Sequence, residues 1–201
     1  MPVSLYTPSE LSEKYQLIRA TVSDQDFFQK PRNQKMQELW CATQFAAGFQ
    51  NTISPCNVWW SDRDEQTAAD FELEAHGRRH PFQLTEVQSP GRRRGDEYRY
   101  EQEGPWSDSD WRKGAAEGKQ WITAAIAKKA SHYPDSSQLN LLVYVNFSAW
   151  NQEYIEICTA ARDAAAPFFS VWLMTGTHFC CIRENVSLPP CSGWAAIASP
   201  E

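Results

Sequence analysis

The chain has 201 residues, of which 42% are hydrophobic and 22% charged. These fractions are close to the averages of globular domains, so we expect one compact domain and exclude disordered and fibrous proteins. The formal net charge of −6 argues against a protein that coats nucleic acid or an anionic membrane through its overall charge. A local basic patch stays compatible with this charge.

The N-terminal segment and the longest apolar stretches bear on cellular location. Residues 1–20 have no basic start followed by an apolar run, so no secretory signal is predicted. The apolar stretches at residues 139–150 and 167–182 are too short or too polar to cross a bilayer. We therefore expect a cytoplasmic protein with no membrane partner, in which the six cysteines stay reduced.

Hydrophobic periodicity and turn residues predict the secondary structure. A loop rich in glycine, arginine and acids is expected over residues 89–105, and an irregular tail over residues 180–201. The predicted elements are, in chain order, a helix over residues 34–49, strands over 58–60, 69–75 and 82–88, a helix from residue 107 or 109 to Pro134, a strand over 139–147, a helix over 152–166 and a strand over 168–175.

The order helix, three strands, helix, strand, helix, strand predicts the architecture. Strands joined by crossover helices are typical of parallel pairing, whereas the strands over residues 69–75 and 82–88 are joined by a hairpin turn at 77–81 and must be antiparallel. We therefore predict an α/β fold in which a mixed β-sheet is flanked by helices, in a single domain over residues 1–201.

Two acids and an amide are predicted to converge on this hairpin. If its turn is centred near Arg78, Asp70 lies opposite Glu86, and Gln88 shares their face. Opposed carboxylates repel unless a cation or a proton compensates, and Mg²⁺ prefers carboxylate oxygens. Glu38 on the first helix adds a further acid to this constellation. The alternative is that these acids form the solvated face of an ordinary hairpin.

At these residues the sequence resembles the PD-(D/E)xK nuclease superfamily, whose restriction-endonuclease-like core runs helix, three strands, helix, strand. The resemblance is carried by Glu38, Asp70, and the run from Glu86 to Gln88, and it covers residues 34–147, leaving 148–201 as a C-terminal extension. It implies that Asp70 and Glu86 hold Mg²⁺ (or Mn²⁺) and that Glu38 is a supporting acid. It also implies a catalytic role for Gln88, which replaces the family's lysine.

The glutamine at position 88 leaves two functions open. The first is a metal-dependent nuclease that hydrolyses phosphodiester bonds, with the missing positive charge supplied from the following helix by Lys119, Lys128 or Arg112. The second is a catalytically inactive, nuclease-like module that binds nucleic acid or a protein partner. The acidic overall charge favours the second hypothesis more than the first.

A hydrolase that uses a thiol is a third hypothesis. Cys158 or Cys180 would be the nucleophile and His178 its base. No local motif supports this assignment, and buried cysteine is common in protein cores. Adjacent Cys180 and Cys181 are expected to point to opposite faces of a strand, which is poor geometry for a shared zinc ion.

Basic residues around the hairpin and on the following helix are predicted to bind a nucleic-acid backbone, with DNA favoured over RNA. They are Arg78, Arg79, Arg92, Arg93, Arg94 and Lys119. The alternative for this set is a solvated loop and helix face whose charges are balanced by nearby acids. Because cutting both strands of a duplex needs two sites, a homodimer is a further expectation.

Overall fold

The computed structural model describes residues 3–23, 26–27, 34–61, 69–92, 108–133, 135–147, 156, 159–184 and 193–197. Within these residues eight strands form one sheet, and helices flank it. The elements are β1 (Ser4–Tyr6), α1 (Pro8–Arg19), α2 (Gln34–Thr52), β2 (Asn57–Trp60), β3 (Phe71–Ala75), β4 (Arg78–Gln88), α3 (Asp108–His132), β5 (Asn140–Asn146), β6 (Ser170–Met174), β7 (His178–Arg183) and β8 (Ala195–Ala196). The predicted mixed α/β architecture is confirmed.

The strands lie side by side in the order of the chain. Strands β1 to β4 are antiparallel, β4, β5 and β6 are parallel, and β7 and β8 return antiparallel. The connection from β4 to β5 contains α3, as a parallel pair requires a long crossover. The helix predicted over residues 152–166 lies partly outside the described residues, and within them residues 159–161 are helical. The expected mixture of parallel and antiparallel pairing is therefore confirmed.

Each face of the sheet carries its own apolar layer. Phe45 of α2 packs against Phe82 of β4 and Trp172 of β6, with ring centroids 5.2 and 5.3 Å apart. On the opposite face Val87 of β4 shares a buried cluster with Ile122 of α3. Since side chains alternate along a strand, the even-numbered residues of β4 face α2 and the odd-numbered residues face α3.

Four elements were not predicted from the sequence: β1 and α1 before the first predicted helix, and β7 and β8 in the segment predicted as an irregular tail. Helix α1 begins with a capping box, in which Thr7 and Glu10 satisfy each other's backbone amides. In β7, Cys180 and Cys181 belong to opposite apolar layers, so their predicted divergence is confirmed.

The hairpin between β3 and β4 turns earlier than predicted. His76 and Gly77 form the turn with φ angles of 51° and 69°, and β4 begins at Arg78. Two left-handed residues in a two-residue loop match the twist of the strands they join. Pro81, assigned to the turn from the sequence, instead lies within β4 opposite Glu72.

Among the described residues, no helix combines the length and apolar character needed to cross a membrane.

Candidate functional site

The early turn corrects the geometry predicted for the acids. Phe71 is paired with Phe82, so the position before it, Asp70, adjoins Gln83 rather than Glu86. Glu86 lies three residues further along β4, or about 10 Å at the rise of a strand, and on the other face from Gln83. The predicted opposition of Asp70 and Glu86 is therefore wrong, while their assigned roles in catalysis and metal binding stay predictions.

Asp70 directly precedes β3, at the place where the pairing of β3 with β4 ends and β4 continues without β3 toward Gln88. Its backbone N–H donates to the carbonyl of Phe82 at 2.8 Å. Its carboxylate Oδ2 accepts the backbone N–H of Leu84 at 2.7 Å. The side chain thus takes the place of a strand neighbour for Leu84, and this bond fixes the carboxylate beside β4.

Glu38 approaches the same region from α2. Its side chain is 12% exposed, and Lys35 Nζ lies 2.8 Å from its Oε2. Gln34 donates to its Oε1 at 3.1 Å. Burial raises the pKa of the Glu38 carboxyl, Lys35 opposes this shift, and the negative charge of Asp70 adds to it. Glu38 and Asp70 therefore share one electrostatic environment.

Lys129 of α3 places a positive charge in this region. The sequence had instead suggested Lys119, Lys128 or Arg112 for this role. Its Nζ donates to Oε1 of Gln83 at 2.8 Å and lies 5.6 Å from the ring centroid of Tyr133. Burial lowers the pKa of Lys129, while Asp70 and Glu38 oppose that shift.

The sequence contained a signal for Lys129 that was not used. Lys129 follows buried Ile122 and Ile126 of α3 at spacings of seven and three residues, which is the apolar stripe of the helix. A lysine in such a stripe brings its amine toward the sheet. Lys119, Lys128 and Arg112, which were considered for this role, are exposed.

We define the acid–lysine cluster as Glu38, Asp70, Gln83, Lys129 and Tyr133. Burial is the first cause of the pKa shifts of Glu38 and Lys129, and it raises the pKa of the carboxyl and lowers that of the ammonium group. Burial and the charge of Asp70 also raise the pKa of Tyr133. Perturbed groups of this kind concentrate at functional sites, where one gives up a proton that another accepts.

Glu86 and Gln88 belong to a separate region at the carboxyl end of β4. Glu86 is exposed and its Oε1 accepts from Asn146 Nδ2 at 2.6 Å. Arg92 donates to the carbonyl of Asn146 at 2.7 Å and to its Oδ1 at 3.3 Å. Gln88 is exposed and is the register partner of Asn146. These contacts fasten the segment after β4 to the end of β5.

The predicted nucleic-acid-binding residues are spread over the molecule. Arg78 and Arg79 begin β4, and Arg92 follows its end, about 30 Å away at the rise of a strand. Arg79 already stacks on Trp59, with its Cζ 3.6 Å from the ring centroid, and Arg92 is bonded to Asn146. Lys119 is exposed on α3. Arg93 and Arg94 lie outside the described residues.

A nucleic-acid partner, a homodimer and Mg²⁺ (or Mn²⁺) binding stay predictions. Within the part of the chain that the structure describes, no group of three or more His, Cys, Asp and Glu residues is placed to hold a metal ion. Two cysteines were considered as the nucleophile of a thiol hydrolase. Cys158 lies outside the described residues, and Cys180 is buried, with 3% of its surface exposed.

Comparisons with known proteins give little to identify the chain. No protein-family model matches it, and no curated protein does. A solved structure from Pseudomonas aeruginosa strain PAO1, described as a protein of unknown function of the monooxygenase superfamily, is similar over 94% of this chain and 93% of its own, with 16% sequence identity and a TM-score of 0.46. This likeness is too low to carry an activity to the present chain.

The nuclease interpretation is corrected by this comparison. The similar structure is described as a monooxygenase-superfamily protein and not as a nuclease. The resemblance to the PD-(D/E)xK superfamily and the magnesium-dependent, DNA-cleaving nuclease that it implied are therefore corrected, whereas nucleic-acid binding stays a prediction. The structure confirms the predicted mixed α/β sheet flanked by helices. It does not confirm the restriction-endonuclease-like architecture.

Proposed function

We propose that this chain is an enzyme that performs acid–base chemistry on a small polar molecule at the acid–lysine cluster. The observation that carries the proposal is the placement of the Lys129 amine, which donates to buried Gln83 at 2.8 Å, near the carboxylate of Asp70 that the backbone of Leu84 fixes. Burial favours the protonated form of the carboxyl and the unprotonated form of the amine. A group that holds its proton more tightly and one that releases it more readily are suited to exchange protons with a bound molecule.

The cluster is held in place by contacts that a catalytic site needs. Gln83 is 2% exposed and holds the amine of Lys129. Leu84 fixes the carboxylate of Asp70 through its backbone N–H, and Lys35 and Gln34 orient Glu38. These residues stand on helices and strands or directly at a strand end, so the polar atoms are positioned by rigid elements.

The charges of the cluster indicate the kind of molecule that fits. Glu38 and Asp70 are balanced by the ammonium groups of Lys35 and Lys129, so neither a strongly anionic nor a strongly cationic ligand is favoured. A small molecule with both hydrogen-bond donors and acceptors meets this balance. In this role Glu38 and Lys129 exchange protons with the substrate, and Asp70 and Gln83 position the amine.

A substrate screen tests this function. The full chain is incubated with pools of small carboxylates, carbonyl compounds, amines and phosphate esters, and conversion is followed by mass spectrometry. Glu38→Gln and Lys129→Met, verified as folded by circular dichroism, are expected to lower the conversion about 10²- to 10⁴-fold, the range of general acid–base catalysis. Lys128→Met, at an exposed neighbouring position, is the matched control and is expected to convert normally.

Two results would overturn the proposal. One is conversion by Glu38→Gln and Lys129→Met at the rate of the native chain. The other is the absence of conversion from every pool together with no thermal stabilisation of the native chain by any of them.

A further inference from the structure

Lys129 has a second chemical capacity beside proton transfer, because an unprotonated amine is also a nucleophile. We propose that Lys129 forms a Schiff base with a small aldehyde or ketone bound at the acid–lysine cluster. This inference rests on the proposed function and names its substrate class. It follows from the position of the amine, its restricted solvation and the acids that surround it.

The position of the amine is fixed by the sheet. The Nζ of Lys129 donates to the Gln83 Oε1 at 2.8 Å, and Gln83 is buried in the middle of β4. Lys129 continues the buried stripe of Ile122 and Ile126 on α3 and is itself only partly exposed. A lysine held in this way presents its nitrogen at one place, unlike the solvated lysines of the same helix.

The groups around the amine are both acids and bases. The charges of Asp70, just before β3, and of Glu38, on α2, act on the amine, and the ring centroid of Tyr133, after α3, lies 5.6 Å from it. Desolvation favours the neutral amine over the ammonium form, against the attraction of the two carboxylates. Burial also keeps Glu38 protonated to higher pH than an exposed glutamate. The cluster therefore offers a nucleophile and a proton donor together.

The chemistry balances without an oxidant or a reductant. The lone pair of the neutral amine forms a C–N bond to the carbonyl carbon, the C=O π electrons move to oxygen, and that oxygen takes a proton from Glu38. The nitrogen of this carbinolamine loses a proton to the carboxylate left on Glu38. The nitrogen lone pair then forms C=N while the C–O bond breaks, and the hydroxyl takes the proton of Glu38 and leaves as water. The resulting iminium N–H returns its proton to the Glu38 carboxylate. The sum is amine plus carbonyl compound giving imine plus water.

Reductive trapping tests the Schiff base directly. The full chain is incubated at pH 7 with glycolaldehyde, glyoxylate or pyruvate, each with sodium cyanoborohydride, and the modified lysines are located by peptide mass spectrometry. We expect Lys129 to be modified at least 10-fold faster than Lys119 and Lys128, the exposed lysines of the same helix. Lys129→Arg, which keeps the positive charge, is expected to remove this fast modification, and Glu38→Gln to slow it.

The outcomes separate this inference from the proposed function. Modification of Lys129 no faster than that of Lys119 and Lys128, with all three probes, overturns the Schiff base. If conversion in the substrate screen still falls in Glu38→Gln, acid–base function survives that failure. Conversely, selective trapping at Lys129 without any conversion in the substrate screen supports the Schiff base and contradicts the proposed enzymatic function.

Discussion

Gly118 of α3 lies directly against the ring of Phe147, which follows β5. A Cβ at residue 118 would overlap the ring, reaching 2.6 Å from its Cζ. The ring is held on another side by Trp121, with centroids 5.2 Å apart and planes at 86°. The missing side chain at position 118 therefore sets how closely α3 approaches the sheet that carries Gln83.

Gly118→Ala is expected to destabilise the protein. Overpacking costs about 1–3 kcal/mol, whereas replacing a helical glycine by alanine contributes about 1 kcal/mol. We expect a net loss of about 1 kcal/mol in the free energy of unfolding, measured by urea titration. Gly176→Ala is the control because a Cβ there meets no atom within 4 Å, and a change within about 0.5 kcal/mol is expected. Equal stability of Gly118→Ala and the native chain would show that α3 can move away from Phe147.

Asp70 has a structural role that can be separated from its charge. Asp70→Ala leaves the backbone N–H of Leu84 without the acceptor that now lies 2.7 Å away, and an unsatisfied donor costs about 1–3 kcal/mol. Asp70→Asn keeps a carbonyl oxygen at this place and is expected to retain most of that stability. Urea titration of the two variants measures the difference. Asp70→Ala and Asp70→Asn of equal stability would contradict the importance of this bond.

The sequence was sufficient for the parts of the fold whose periodicity is strong. The apolar run before Asn146 predicted a buried strand, and the spacing of Ile122 and Ile126 predicted α3. Strand β1, with three residues, is too short to show any period. The capping box of Thr7 and Glu10 was visible in the sequence, but without a long apolar stripe after it α1 was not predicted.

The candidate site depended on a register that the sequence did not determine. Moving the turn to His76 and Gly77 placed Asp70 beside Gln83, because a hairpin's register is set by its turn. Glu38 and Asp70 were both singled out from the sequence, and the charge of Asp70 acts on the Glu38 carboxyl, while their catalytic roles stay predictions. The place of Lys129 in the apolar stripe of α3 predicts an amine directed toward the sheet, but the stripe does not show which strand residue that amine meets, so its contact with Gln83 was missed.

His80 makes the stability of the hairpin depend on pH. It is 3% exposed, and its Nε2 has no hydrogen-bond partner within the described residues. Burial lowers the pKa of His80 below its ordinary value of 6.5. The unfolded chain therefore takes up a proton before the folded chain does, so this contribution is present above about pH 6.5 and is lost as the pH falls toward the folded-state pKa.

In His80→Leu we expect the free energy of unfolding to change less with pH than in the native chain. One proton that binds only to the unfolded chain changes the free energy of unfolding by up to about 1.4 kcal/mol per pH unit. Urea titrations at pH 7.5 and 5.5 can therefore resolve the loss of this pH dependence. His132→Gln is the matched control, because His132 is exposed at the end of α3 and is not among the groups that shift the pKa of His80. A native chain and His80→Leu with the same loss of stability between the two pH values would refute the prediction.

The carboxylates of the acid–lysine cluster are expected to control the titration of Lys129. Asp70 and Glu38 favour its ammonium form and so oppose the lowering of its pKa by burial. Removing either negative charge removes this opposition, so Asp70→Asn and Glu38→Gln should each lower the pKa of Lys129 further. Asp70→Asn is the cleaner variant since its side chain can still accept the N–H of Leu84.

This shift can be measured by brief labelling with acetic anhydride at a series of pH values, followed by quantification of the Lys129 peptide. The midpoint of the labelling curve for Lys129 is expected to move to lower pH in both variants. Lys128, exposed and one residue earlier, is the internal control, and its curve should stay in place. A midpoint that stays fixed or moves to higher pH would mean that the two carboxylates do not act on the amine. The electrostatic coupling behind the acid–base proposal would then be absent.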